Sequence, residues 1–277
     1  GNSATTLERE ITVNPAPAVG LSVASQMCAG VSSPWSVDVD EGTDVAWSFG
    51  DGTTATGASV SHAFSSPGLY PVTVALDDGK GLLNSRRSEE VYVRVNATPT
   101  ALAGPDKIVD PGAPVAFDGS ASGDLDGALT SYTWTFSDGV TLEGAQVERS
   151  FEASGPVRVE LSVQDDSGSA CATGTDTLAV LVNSSPVVDA GPDLEVPVGA
   201  AHDVVIFDAS SASDGDGHGL AVEWDFGDGV TASGAIVRHA FTAPGTYTVT
   251  VTARDTTGLA SGTSTDTATV TAVSRGN

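Results

Sequence analysis

Two pairs of aspartates stand at a spacing suited to a metal ion. Asp124 and Asp126 form one Asp-x-Asp, and Asp214 and Asp216 form the other. Each pair sits in a loop rich in Gly, Ser and Ala, residues 119–127 and 209–217. Calcium takes six to eight oxygen ligands, and closely spaced carboxylates on a turning loop supply several of them. Asn96 and Asn183 each precede a short linker ending in proline, and their side-chain oxygens can join the set. The competing reading is a solvated Asp/Gly turn without a metal. A third acidic run, Asp38, Asp40, Glu41 and Asp44, is read as such a turn.

Asp225 and Asp228 invite a second chemistry. A glycosidase needs two carboxyl groups across a cleft, and these two lie in the stretch Trp224-Asp225-Phe226-Gly227-Asp228-Gly229. The stretch has two looser copies, Trp47-Ser48-Phe49-Gly50-Asp51-Gly52 and Trp134-Thr135-Phe136-Ser137-Asp138-Gly139. The first carboxylate is replaced by Ser48 and Thr135. The second is always followed by Gly, which suits a hairpin turn because glycine accepts positive φ and Asp bonds its own backbone. Turn chemistry therefore explains the retained Asp, and no catalytic residue is assigned.

The four histidines make no zinc site, since a closed one needs about four N/S ligands together. His62 and His239 occupy matching places in different copies, and His202 and His218 have no cysteine nearby. No G-x-S-x-G elbow, H-E-x-x-H pair or P-loop occurs. Aromatic residues make up 6% of the chain, and Trp35, Trp47, Trp134 and Trp224 take core positions, so little is left to stack against sugars.

Strands must position these residues. Trp and Phe stand two apart in each copy and so share one strand face, with Ser48, Thr135 or Asp225 pointing the other way. Tyr247, Val249, Val251 and Ala253 alternate with threonines in the clearest inward-facing pattern of the chain. Alternating runs bounded by Gly, Pro and Asp recur throughout, and no long segment has apolar residues at helical spacing, which predicts an all-β fold.

The chain has 277 residues and a net charge of −25, with Lys80 and Lys107 as its two lysines. Such acidity repels nucleic acid and anionic lipid and attracts cations. No segment approaches the ~18 apolar residues of a membrane helix, and no signal peptide stands at the start. Cys28 and Cys171 fall in different repeats. Two free buried thiols are the first expectation, with a bridge between repeats or to another chain left open.

Trp47, Trp134 and Trp224 recur 87 and 90 residues apart, about the size of one β-sandwich. This spacing predicts three units, 14–96, 97–183 and 184–277. Residues 1–13 precede them. Leu7 to Asn14 resembles the segments that close repeats, Val91 to Asn96 and Leu178 to Asn183. Three readings stand for it: a remnant of a preceding domain in a longer array, an extra edge strand of repeat 1, or a donor strand completing a neighbouring molecule.

The W-D-F-G-D-G stretch, His239-Ala240-Phe241, Pro244-Gly245-Thr246-Tyr247 and the alternating run to Asp255 resemble a PKD (polycystic kidney disease) domain. Repeat 3 carries nearly all of this pattern. Repeat 2 departs at Ser137 and Arg149, and repeat 1 keeps its back half with His62, Phe64 and Tyr70 but has a divergent front half around Cys28-Ala29-Gly30. The resemblance implies an Ig-like β-sandwich in each repeat, here arranged as an extended rod, and an extracellular or cell-surface setting. Related domains of bacterial collagenases place calcium near this linker and loop. A rigid spacer or adhesive module, stiffened by calcium, is the leading functional reading. A filament subunit joined by strand addition and a substrate-binding accessory region of a secreted hydrolase follow it. Expected partners are other domains of the same surface protein, other copies of the chain, or extracellular polysaccharide or protein. Nucleic acid and membrane insertion are not expected.

Overall fold

A computed structural model of the chain describes residues 16–17, 20–22, 24, 26–198 and 203–274. Nearly every element is a strand, and among the described residues the one helical turn is Ala260–Gly262. The predicted strand from 7 to 14 and His202 lie outside the described residues.

Each repeat is built on a five-stranded sheet. In repeat 3 its order is Leu194–Val198, Thr263–Ser274, Gly245–Arg254, Ala221–Asp225 and Thr231–Ser233. Repeat 2 runs Lys107–Val109, Thr173–Val182, Gly155–Asp165, Leu129–Phe136 and Thr141–Glu143. Repeat 1 runs Gln26–Cys28, Arg86–Asn96, Gly68–Asp77, Asp44–Ser48 and Thr54–Thr56. The first strand of each sheet lies parallel to the closing strand of its own repeat. A smaller sheet completes each sandwich, Val205–Asp208 with Ile236–His239 in repeat 3 and Pro114–Asp118 with Gln146–Ser150 in repeat 2. In repeat 1 it gains a third strand, in the order Gly20–Ser22, Ser33–Asp38, Ser59–His62.

The core follows the strand alternation. Tyr247, Val249, Val251 and Ala253 face inward as the pattern predicts, with Val249, Val251 and Ala253 fully buried. Trp47 and Phe49, Trp134 and Phe136, and Trp224 and Phe226 are each buried as pairs. Trp35 is buried against Trp47, Phe49 and Phe64 at edge-on angles. The indole N–H of each repeated Trp has the same acceptor, the carbonyl of Gly57, Gly144 or Gly234, at 2.9, 3.0 and 3.1 Å. This shared acceptor makes the recurrent Gly ten residues on part of the motif. Ser137 breaks the glycine pattern without strain, because it does not adopt positive φ, whereas Gly50 and Gly227 have φ of 74° and 75°.

By Cα packing the chain divides into two compact units. One holds the described residues up to Leu102 together with Ser120–Thr133 and Ser162–Thr175, and the other holds Ala103–Gly119, Trp134–Leu161 and the described residues from Asp176 onward. Each unit contains one complete joint between successive repeats.

Candidate cation sites at the repeat joints

The joint between repeats 2 and 3 is organised by Asn183, which is fully buried. Its amide nitrogen donates to Asp255 Oδ2 at 2.8 Å and to Ser261 Oγ at 3.1 Å. Asp255 directly follows the long alternating strand, and its other oxygen accepts the N–H and hydroxyl of Thr257. The linker is fixed from the Asp-x-Asp loop as well. Asp216 accepts the N–H and the hydroxyl of Ser184 at 2.6 and 2.7 Å. Asp214 accepts the N–H of Asp216 and of His218, which curls the loop.

These bonds leave oxygens over. Asp214 Oδ2 and Asn183 Oδ1 are buried without a partner, as is Nδ1 of His218. Ligand atoms of Asp214, Asp216 and His218 all lie within 4.8 Å of one another. A buried anionic oxygen with no partner is costly, and a cation would relieve that cost.

The joint between repeats 1 and 2 repeats the plan. Asn96 is buried and donates to Asp165 Oδ2 at 2.9 Å. Asp126 accepts the linker N–H of Ala97 at 2.9 Å. Asp124 accepts the N–H of Leu125, and its Oδ2 is buried without a partner. A Cβ built on Gly127 would stand 2.6 Å from that oxygen and 2.5 Å from Asp166 Oδ1, so both oxygens face one small space.

The carboxylates respond differently to this crowding. Burial raises the pKa of Asp124, and the charges of Asp126, Asp165 and Asp166 add to the rise. Burial also opposes ionisation of Asp165, but hydrogen bonds from Ser167 and Asn96 outweigh it and hold the group below its usual range. Asp255 is lowered in the same way by Thr257 and Asn183 against its burial. Asp216 is lowered chiefly by the Ser184 N–H and hydroxyl.

The joints also differ in how their two sides are bonded. Cys28 and Cys171 form a disulfide across the first joint, with Cα atoms 6.0 Å apart. The expected free thiols are thus replaced by a bridge. Folding brings the strand Gln26–Cys28 beside Asn96 and the loop after Asp165 up against it, and no local spacing in the sequence records this.

A family comparison matches PKD domain at residues 14–95, 96–180 and 183–270. The chain belongs to the PKD domain family. It is 29% identical over 163 residues to "Pre-pro-metalloprotease PrtV" of Vibrio cholerae, a match covering 58% of this chain and 17% of that protein. It is 30% identical over 115 residues to "Collagenase ColA" of Clostridium perfringens, covering 42% of this chain and 10% of that protein. The chain thus spans less than a fifth of these relatives. Three N-terminal domains of the bacteriophage RB49 outer capsid protein Hoc align over 93% of this chain and 100% of that one, at 12% identity and a TM-score of 0.44.

Within the PKD repeats the remaining candidates take structural places. Asp225 is exposed and accepts the N–H of Gly227, while Asp228 accepts the N–H of Val230 and pairs with His239 at 2.8 Å. Asp51 and His62 repeat that pair, also at 2.8 Å, and Arg149 replaces the histidine beside Asp138. The rings of His62 and His239 stack on Phe49 and Phe226 at 3.9 and 4.0 Å. The turn aspartate therefore also anchors the neighbouring strand. Asp40 and Asp44 flank a tight turn, and the first repeat's acidic run forms no three-ligand cluster among the described residues.

Sequence reasoning missed Asp165, Asp166 and Asp255 as members of the joints. Their signal was present, since the long alternating strand of each PKD repeat ends on or directly before aspartate: Asp77-Asp78, Asp165-Asp166 and Asp255. No helix among the described residues is long and apolar enough to cross a membrane.

Proposed function

We propose that this chain is a non-catalytic extracellular module, a spacer or adhesive segment of a secreted or surface protein, with calcium tightening its joints. The observation that carries the reading is the duplicated joint. Asn96 with Asp165 and Asn183 with Asp255 clamp each linker from one side, and Asp126 and Asp216 clamp it from the other. Hydrogen bonds to charged groups contribute roughly 1.5–3 kcal/mol each, so such a linker costs far more to bend than a free one. Asp124, Asp126, Asp165 and Asp166 would hold the ion at the first joint, and Asn183, Asp214, Asp216 and Asp255 at the second. Bound calcium supplies positive charge to carboxylates that otherwise repel one another. Asp124 Oδ2, Asp214 Oδ2 and Asn183 Oδ1 fit the role as buried oxygens awaiting a partner.

The test is chelation. Removing calcium with EGTA is expected to lower the melting temperature and broaden the dimensions seen in solution scattering. Asp124→Asn with Asp214→Asn should remove that sensitivity. Identical melting and scattering with and without chelator would overturn the calcium reading.

The similarity to regions of PrtV and ColA favours a second reading, an accessory region that holds a secreted hydrolase to its substrate. Retention of the isolated chain on insoluble collagen or polysaccharide distinguishes it from a pure spacer. The filament alternative rests on residues outside those described, and crosslinking of a Cys-substituted start to a second copy tests it.

A further inference from the structure

We propose that the second joint also takes a zinc-type divalent transition cation, with Nδ1 of His218 as its nitrogen ligand. The proposal rests on the joints being cation sites at all, and it separates the second from the first.

The two joints differ in their donors: Asp166 follows Asp165 at the first where Thr256 follows Asp255 at the second, and the second alone carries a histidine. His218 stands four residues after Asp214, and Ala128 stands four residues after Asp124. The backbone N–H of Ala128 donates to Asp166, and its methyl offers no ligand. The first joint thus presents oxygen alone, which suits a hard ion such as calcium. The second adds an imidazole, and mixed nitrogen and carboxylate sets suit zinc, cobalt and nickel.

The imidazole is placed for that work. Its Nδ1 is buried and makes no hydrogen bond. It lies 3.6 Å from Asp214 Oδ1, too far for a hydrogen bond. The Asp214 side chain beside it is wholly buried, and its Oδ2 also has no partner. Three ligand atoms, from Asp214, Asp216 and His218, lie within 4.8 Å of one another. Donors bound to one zinc at about 2.0–2.2 Å must lie within about 4.4 Å of each other, so small side-chain rotations close the set. Asn183 Oδ1 is a further buried acceptor at the same joint. The competing account is a plain ion pair of His218 with Asp214, whose charge also acts on Asp216 and Asp255.

Zinc and cobalt titrations of the full chain decide between them. Wild type should bind zinc with an affinity at least tenfold above that of His218→Ala. Cobalt should give a visible absorption band that His218→Ala lacks. Calcium stabilisation should persist in His218→Ala, because the carboxylates remain. Equal zinc affinity in the two proteins would overturn the proposal. So would a calcium response in wild type without any zinc response, although the calcium reading would then survive. No response to either ion would remove both. A variant that melts lower than wild type to the same extent with zinc and with chelator would assign His218 to the ion pair and overturn the ligand role.

Discussion

Cys28 and Cys171 close the first joint through the same two positions at which Asp110 accepts the N–H of Ser261 in the second. Cys28 lies beside Asn96 on the parallel strand pair, and Asp110 follows Val109, the partner of Val182, and so lies beside Asn183. Cys171 stands six residues after Asp165, and Ser261 stands six after Asp255. One joint is bonded covalently, and the other by a hydrogen bond of 2.8 Å.

The correspondence can be tested by exchange. Asp110→Cys with Ser261→Cys should form a bridge spontaneously in air, detected as the loss of two thiols by mass spectrometry. Conversely, Cys28→Ser with Cys171→Ser should destabilise the first joint by about 2–4 kcal/mol, the usual range for a native disulfide. Differential scanning calorimetry should show the loss in the transition of repeats 1 and 2 while repeat 3 melts as before. A uniform shift of all transitions would contradict a local staple.

The core motif makes a second prediction. Gly227→Ala places a Cβ 2.6 Å from the carbonyl oxygen of Thr248 at a backbone φ of 75°. Steric contact and left-handed strain together should cost well over ~1 kcal/mol. Ser137→Gly, at the matching place in repeat 2, relieves no strain, because Ser137 already avoids positive φ, and should cost a little through the lost bond from the Arg158 N–H to Ser137 Oγ. Trp224→Ala should destabilise repeat 3 by roughly 3–5 kcal/mol. Urea melts followed by circular dichroism check all three.

Acid should weaken the turn anchors. The Arg149 guanidinium holds Asp138 below its usual range. Partial desolvation opposes ionisation of Asp51, but hydrogen bonds from Thr53 and His62 prevail and lower it too. A depressed carboxylate contributes stability that is fully present above its unfolded value near ~3.9 and is lost as pH falls through the folded value. Chemical melts between pH 7 and pH 2.5 should therefore show a flat upper range and a steep loss below about pH 4. Asp138→Asn should flatten the acid limb of repeat 2. A loss centred well above pH 4 would contradict these anchors.

Local features of this structure were legible, and convergent ones were not. Two-residue alternation placed Trp224 and Phe226 in the core, because strand period alone fixes which face a side chain takes. Asp-Gly placed the turn, because φ preference is a property of the dipeptide. The Asp-x-Asp loops and the linker asparagines were read as neighbours from the shared order of parts. The partners of Asn96 and Asn183 were not, since Asp165 and Asp255 stand 69 and 72 residues further along the chain. The cysteine pairing, at a separation of 143 residues, was invisible for the same reason. Pairings across a joint depend on how two sandwiches meet, and no single strand pattern encodes that.

Asn183 is the residue on which the joint reading depends most. Its amide donates to both Asp255 and Ser261, and together with Thr257 it holds the half-buried Asp255 carboxyl below its usual range against desolvation. Asn183→Ala leaves the carboxylate short of a partner and should cost about 1.5–3 kcal/mol. Asn183→Ala with Asp255→Asn should cost less than the sum of the two single changes, because they remove one interaction. Melts run in chelator isolate this bond from any cation. If the two losses simply add, Asn183 and Asp255 act independently and the linker is not clamped as described.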